Sequence, residues 1–525
     1  MLLTNNLNKN NLNPNQNNNN KINNNYSEQE NKIKKTTKNN KNFYDTVELT
    51  GLPNSFFETN RTNFFNNLKK MLIGIEEDSI IILQSGDENP RNDTDVVNYH
   101  FQQESNFYYL TGVVEPKFIA ILDFFSKKTT LYYTVNHNER DNIFMRLPKL
   151  EELEVKYNLK VFDEIYLAQD LKIRDPKKIY FLSGINSDSD LPILTAKIRL
   201  ELPYEYLKER FDYNGLIYEI LADTRSRKSS EEIDYMEYIH EANVEAHKTA
   251  IKNVKIGKNE RDIESDFMGY LRMNQYARSL SYEPICGCGP NSRTLHYVNN
   301  DCTLKDGNLL VLDMGIRLGG YCSDVTSTIP VNGKYSERQK SIYDLVLKAN
   351  REVMSKLKPG VYWPEMHLLA ESIILKGLID LKILNNSPEL TIENMLKDRV
   401  AYYFMPHGLG HFIGLECHDV GGYLSFTPKR SEKDGLKSLR TSRYLEQGNC
   451  ISVEPGIYFI PFLLDKALNN NLVSKYFNEI EAKKYYDFGG VRIEDIVLIT
   501  DFGFVNMTRN LPRETMDIEK LMAGN

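Results

Sequence analysis

Apolar positions recur along this chain in two rhythms, and the switch between them divides it. From Asn63 onward Phe64, Phe65, Leu68, Met71 and Leu72 keep helical spacing, and Ser79-Ile80-Ile81-Ile82-Leu83 is a short apolar run of the buried-strand type. Similar runs follow at Phe118 to Phe124, Thr130 to Val135 and Lys178 to Leu182, with a helical stretch from Pro148 to Tyr157 among them. Strands alternating with helices predict an α/β N-terminal domain over residues 43–213. After Arg225-Ser226-Arg227-Lys228, Ser229 and Glu232 make a capping box, and Ile233, Met236, Ile239, Ala242, Ala246 and Ala250 continue it as a long helix. Further helices are expected from Asn259 to Met273 and from Ser336 to Leu357, the second closed by Lys358-Pro359-Gly360. The strands between and after them make residues 214–525 an α+β domain, with helices packed on a curved, largely antiparallel sheet.

Leu309 to Pro330, LLVLDMGIRLGGYCSDVTSTIP, concentrates the strand signal. Val311, Leu312, Ile316, Val325, Thr326, Thr328 and Ile329 favour extended backbone, and Leu318-Gly319-Gly320 supplies the freedom of a tight connection. A loop at Leu318-Gly319 sets Asp313 directly opposite Asp324, and one at Gly319-Gly320 makes them diagonal neighbours; both put the two carboxylates on one face. Opposed Cβ atoms lie about 4.5–5.5 Å apart, where like charges repel unless a cation lies between them. An isolated pair of this kind is ordinarily two solvated aspartates, so the reading turns on whether further ligands exist.

Composition narrows the classes. At 525 residues the chain exceeds one compact core, and a 41% hydrophobic share is ample for two. Residues 1–42 are Asn/Lys-rich low complexity, NQNNNN and KINNNY included, and are read as a disordered tail with no catalytic role. A net charge of −7, with no basic helix or aromatic-interleaved Lys/Arg stripe, argues against a nucleic-acid partner. No apolar run approaches the roughly 18 residues needed to span a bilayer, so no membrane partner is expected. Six cysteines without paired zinc-knuckle spacing fit free thiols in a reducing compartment, with Cys286-x-Cys288 structural. The start MLLTNNLNKNN lacks an apolar signal core and no arginine precedes Arg61, so a cytoplasmic protein is expected. The first domain shows no ligand cluster, which leaves it assembly or the shaping of a site.

The ligands missing from the hairpin appear later. Of nine histidines, His407, His411 and His418 fall together in MPHGLGHFIGLECHD, where Gly408, Gly410 and Gly414 oppose a helix and suit a loop or strand presenting imidazoles to a cleft. In Cys450 to Gly456, alternation puts Ile451 and Val453 on one face and Ser452 and Glu454 on the other. In Gly490 to Ile496, Val491 and Ile493 share a face and Arg492 and Glu494 the opposite one. Four carboxylates and one imidazole form a hard, oxygen-rich set suited to two divalent ions, with Mn²⁺ favoured over a thiolate-seeking metal.

In chain order Asp313, Asp324, His411, Glu454 and Glu494, carried in LDMG, SDVTST, HGLGHFIGLECHDVGGY, VEPGIYF and GGVRIED, resemble the dinuclear metallopeptidases of pita-bread fold, the family of methionine aminopeptidase, aminopeptidase P and prolidase. Within it the sequence is most similar to the prolidase branch, the Xaa-Pro dipeptidases. The resemblance runs from about Ser105 to Ala523, with PHGLGHF, SLRTSRYLEQG, EPGIYFI and FGGVRIED as long matches. The Asn-rich extension, a shortened segment between Tyr297 and Leu304 and loops of the first domain depart from it, and none carries a ligand.

What the resemblance implies is specific. A C-terminal catalytic domain of pita-bread type would hold two divalent ions per subunit: Asp313 on one, His411 and Glu454 on the other, Asp324 and Glu494 bridging. A hydroxide bridging the ions would attack the bond before proline in an Xaa-Pro dipeptide, with Glu454 accepting the water's proton and passing it to the leaving nitrogen. His418, His407 and His296 would hydrogen-bond the scissile group or the developing oxyanion, Tyr282 would touch substrate, and Arg492 would orient the bridging Glu494. Arg440 in SLRTSR would grip the free carboxylate of the product proline. A homodimer is implied, with the first domain covering the partner's cleft. The same ligands also suit an Xaa-Pro aminopeptidase acting on longer peptides. A non-catalytic pita-bread binding protein would have lost the metal residues, and here all of them are present.

Overall fold

The computed structural model describes residue 44 and residues 47–71, 78–92, 94, 100–135, 143, 147–198 and 204–524. The Asn-rich tail expected over residues 1–42 lies outside them. The first domain is built on one mixed sheet: β1 (Ser79–Gln84), β2 (Phe118–Asp123), β3 (Thr129–Tyr133), β4 (Lys160–Asp163), β5 (Lys178–Phe181) and β6 (Phe211–Asp212), in spatial order β4-β3-β2-β1-β5-β6. Its apolar strands are buried on both sides. Ile80 and Ile82 pack with Leu167 and Leu171 of the Leu167–Arg174 helix, whereas Ile81 and Leu83 face Phe64, Phe65 and Leu68 of the Asn54–Met71 helix.

That last helix begins well before Asn63, where the apolar period starts. Its first half buries Asn60 and Arg61, whose side chains donate to the carbonyls of Tyr109 (3.2 Å) and Leu110 (2.8 Å) at the end of the Ser105–Thr111 helix. Polar residues with buried partners hide a helix from a hydrophobic count.

In the second domain the Ser230–Asn253 helix starts at the Ser229/Glu232 capping box, and the Glu260–Gln275 and Glu337–Met354 helices at equivalent boxes on Asn259/Asp262 and Ser336/Gln339. Around them run β7 (Ser279–Leu280), β8 (Ile285–Cys288), β9 (Leu309–Asp313), β10 (Ile316–Leu318), β11 (Tyr321–Cys322), β12 (Thr326–Pro330), β13 (Cys450–Val453), β14 (Gly456–Tyr458), β15 (Gly490–Arg492), β16 (Asp495–Ile499) and β17 (Phe504–Asn506). Every pairing among these strands is antiparallel. Among the described residues no helix is long and apolar enough to cross a membrane.

The expected hairpin is present but interrupted. Its tip pairs Leu318 with Tyr321, so the loop is Gly319-Gly320, both at positive φ (48° and 86°). Pairing resumes at Asp313 and Thr326 in the same register, which makes Asp313 and Asp324 diagonal neighbours. Between the two halves the ladder opens at Met314-Gly315, where a Cβ on Gly315 would overlap the Ser323 carbonyl. A second strand pair does the same: Val453 pairs with Asp495 and Gly456 with Arg492, leaving Glu454 opposite Glu494 in the gap. Each gap strands a carbonyl, and a helix behind it supplies the donor. Asn243 (3.1 Å) and the His247 Nε2 (2.9 Å) reach the Met314 oxygen, and Asn350 (2.9 Å) reaches that of Val453.

Candidate active site

The two interrupted strand pairs put their carboxylates into one cavity of about 540 Å³, which is lined by Tyr282, His296, Asp313, Asp324, His407, His411, His418, Arg440, Glu454, Arg492 and Glu494. All the site residues expected from the sequence therefore meet there. The glycine-rich segment reaches it as an irregular edge along β13: Glu454 N donates to Leu409 O (2.9 Å), Ser452 N to His411 O (2.9 Å) and Ile413 N to Cys450 O (3.1 Å). The approach needs glycine, since a Cβ on Gly410 would overlap the Ser452 carbonyl.

His411 is fixed at both ends. Its Nδ1 donates to the Phe412 carbonyl (3.0 Å), and its Nε2 faces Asp324 Oδ2 and Glu454 Oε1, each at 3.5 Å. Ser452, which shares the Glu454 face, binds the His411 amide (2.9 Å) and donates to Glu454 Oε1 (3.2 Å). Asp313 accepts from Arg492 Nη2 at 2.6 Å. This corrects the expectation that Arg492 orients Glu494: the guanidinium spans to the other strand pair, and Thr326 Oγ1, 3.3 Å from Arg492 Nε, is what donates to Glu494 Oε2 (2.9 Å). Arg513 holds the strand behind, through the Glu494 and Thr326 carbonyls and Asp495 Oδ1.

The electrostatics are those of four acids crowded around one guanidinium and one imidazole. Burial, then the charges of Asp324, Glu454 and Asp313, push the Glu494 carboxyl well above its usual range. Burial with Asp324 behind it takes Glu454 up to about 7 against the pull of His411. Asp313 is also raised, by burial first, despite Arg492. Burial pushes Asp324 up as well, but hydrogen bonding and charge from His411 outweigh it and hold that carboxyl low. Tyr282 hydrogen-bonds both Asp313 Oδ1 (2.5 Å) and Asp324 Oδ1 with its single proton.

These residues fit divalent cations. Ligand atoms of Asp324, His411 and Glu494 lie within 4.8 Å of one another, and Glu494 Oε1 is buried with no hydrogen-bond partner among the described residues. A buried carboxylate oxygen left bare beside three other acids is an electrostatic cost that a cation removes. Cys417, unexpected from the sequence, donates its thiol to Asp324 Oδ2 (3.0 Å); burial keeps that thiol protonated.

The histidines divide. His407 turns Nδ1 to the Gly408 carbonyl (2.8 Å) and Nε2 to the Tyr458 hydroxyl (3.1 Å), which in turn accepts from Arg492 (2.8 Å). Burial and the Arg492 charge lower its pKa to about 3, so the ring is neutral with both nitrogens engaged. His296 is exposed at the rim. His418 Nδ1 lies 3.4 Å from Asp188 Oδ2, and Arg440 Nη1 pairs with Asp188 Oδ1. Alternation already puts Ser452 on the Glu454 face, whereas Asp188 carries no sequence signal because it comes from the other domain.

A mixed first-domain sheet joined to two broken antiparallel strand pairs, with four acids and an imidazole gathered at the breaks in one cavity, defines a metallohydrolase. Residues 234–501 match Metallopeptidase family M24, and residues 57–187 match the Aminopeptidase P N-terminal domain. The Xaa-Pro dipeptidase of Mus musculus is 37% identical over 484 residues, covering 91% of this chain and 95% of its own. That of Homo sapiens is 35% identical over the same shares. Among solved structures, the aminopeptidase PepP of Pseudomonas aeruginosa superposes with a TM-score of 0.72 at 27% identity, covering 91% of this chain and 99% of that one. The chain belongs to metallopeptidase family M24.

Proposed function

We propose that this protein hydrolyses Xaa-Pro dipeptides, releasing free proline, with two divalent ions held by Asp313, Asp324, His411, Glu454 and Glu494. The observation that carries the reading is the placement of Arg440 in the lining of the same cavity as the acid cluster. The ions, when bound, supply Lewis-acid polarisation of the scissile carbonyl and acidify a water to near neutrality. Mn²⁺ suits the oxygen-rich donor set.

The chain's own residues do the rest. Glu454 takes a proton from the attacking water and returns it to the proline nitrogen. Tyr282 and Arg492 hold Asp313 in place, Ser452 and the Phe412 carbonyl hold Glu454 and His411, and Thr326 holds Glu494. Arg440 pairs with the substrate's C-terminal carboxylate. His418 and His296 line the same cavity. A cytoplasmic homodimer, with the first domain over the partner's cleft, completes the proposal.

A second reading, an Xaa-Pro aminopeptidase acting on longer peptides, is favoured by one observation: Asp188 already pairs with Arg440, which lowers the positive charge offered to a carboxylate. Kinetics on Gly-Pro and Gly-Pro-amide separate the two. The dipeptidase reading expects the amide to be cleaved poorly, and Arg440→Ala to cost Gly-Pro about 10- to 150-fold in kcat/KM while costing the amide little. Equal losses on both substrates would show that Arg440 holds the loop instead.

A further inference from the structure

Among its described residues the first domain contributes to no metal-ligand cluster, yet one of its loops reaches into the catalytic domain. Asn186 organises that loop. Its side-chain oxygen accepts from the amides of Asp188 (2.8 Å) and Ser189 (3.4 Å), its amide donates to Leu191 O (2.9 Å), and its carbonyl accepts from Asp190 N (2.9 Å). Arg430 then fastens the loop to the segment beside Arg440. One guanidinium nitrogen donates to Ser187 O (2.7 Å) and another to Leu439 O (2.6 Å), while the group lies 4.2 Å over the Tyr423 ring. The result is a rigid delivery of Asp188, which bridges Arg440 Nη1 through one oxygen and His418 Nδ1 through the other, at 3.4 Å.

Asp188 does not line the cavity, whereas Arg440 and His418 do. The carboxylate therefore stands behind the two cavity groups and occupies one nitrogen of each. Its two oxygens thus tie Arg440 and His418, both of which line the cavity, to one fixed point of the first-domain loop. Without that shared partner the Arg440 and His418 side chains would be free to swing.

We propose that Asp188 is a positioning residue for substrate recognition: it fixes Arg440 and His418 so that the far end of the cavity accepts the carboxylate of a proline-terminated dipeptide. The first domain thereby sets substrate length from within the same chain. The inference rests on the dipeptidase reading for the identity of the carboxylate.

The test uses the full-length, metal-loaded protein with Asp188→Asn, Arg440→Ala and the double variant, read by kinetics on Gly-Pro and Gly-Pro-amide and by calorimetric binding of proline against prolinamide. Asp188→Asn should raise KM for Gly-Pro about tenfold or more with kcat little changed, alter the amide far less, and shrink the preference for proline over prolinamide. In the Arg440→Ala background it should add almost nothing, because both changes break one unit. Metal content should match wild type throughout. Losses that multiply in the double variant, or that fall equally on both substrates, would overturn the proposal, as would an Asp188→Asn protein with wild-type KM. Metal-loaded wild type that leaves Gly-Pro uncleaved would instead refute the dipeptidase reading itself. If Asp188→Asn folds poorly, Asp188→Ser is read in the same assays, with the same outcomes deciding.

Discussion

His411 can serve a cation through one atom only, because its other ring nitrogen is committed to the Phe412 carbonyl. Glu494 accepts the Thr326 hydroxyl at Oε2, where a lone pair remains, and its Oε1 is left bare. Asp324→Ala or Glu494→Ala is therefore expected to abolish hydrolysis and to lower the bound metal below two ions per chain; near-normal turnover in either variant would contradict the assignment. The raised acids also predict how the metal-free protein responds to pH. Glu454 at about 7, with Glu494 and Asp313 raised too, favours the protonated form in the folded state. Such groups stabilise the fold below their unfolded pKa, and the contribution is lost as pH rises through about 7. The thermal midpoint of metal-free protein should fall between about pH 5 and about pH 8, and divalent ions should remove the fall; a flat profile without metal would argue that the acids are not crowded. At this scale the five proposed ligands were legible because each lies in a strand or glycine-rich motif of distinct type. Cys417 and Asp188 were not: their proximity to Asp324 and Arg440 arises from chain folding and leaves no local pattern.

Two interrupted antiparallel pairs do the positioning at the level of elements. A continuous ladder would keep neighbouring carbonyls paired and the strands closely twisted; the gaps at Met314-Gly315 and Glu454-Pro455 free the side chains to converge, and buried Asn243, His247 and Asn350 satisfy the carbonyls left over. Gly410→Ala should strain the contact between the glycine-rich segment and β13, costing about 1–3 kcal/mol of stability and reducing metal occupancy. Chemical denaturation with metal analysis checks it, and unchanged values for both would show that the segment adjusts freely. Alternation and capping boxes made the helices and strand pairs readable, including the Ser229 start. The gaps were not, since a strand that stops for two residues and resumes in register looks continuous in sequence. Nor was the first half of the Asn54–Met71 helix, where Asn60 and Arg61 are buried against carbonyls.

Across the whole molecule the first domain is more than a cover. Its loop at Asp188 and its helix ends reach the catalytic domain, with Ser105 bonded to Glu416 and Arg225 joining Asn106 (2.7 Å) to Asp419 (2.7 Å). Residues 1–42 carry no candidate ligand, and their deletion should leave turnover unchanged; a large loss of kcat on a cleanly folded truncation would place them at the site. The α/β and antiparallel layers followed from periodicity, but the contact between domains depends on side chains far apart in the chain and had no sequence signature. The central claim is that a two-ion site and a carboxylate clamp act together on a dipeptide. The most direct measurement is kcat/KM of the Mn²⁺-loaded protein on Gly-Pro and on Gly-Pro-Pro, with the metal-free protein as control. The account predicts cleavage of Gly-Pro that requires metal and exceeds that of Gly-Pro-Pro by about tenfold or more; equal or faster cleavage of the tripeptide, or hydrolysis without metal, would contradict it.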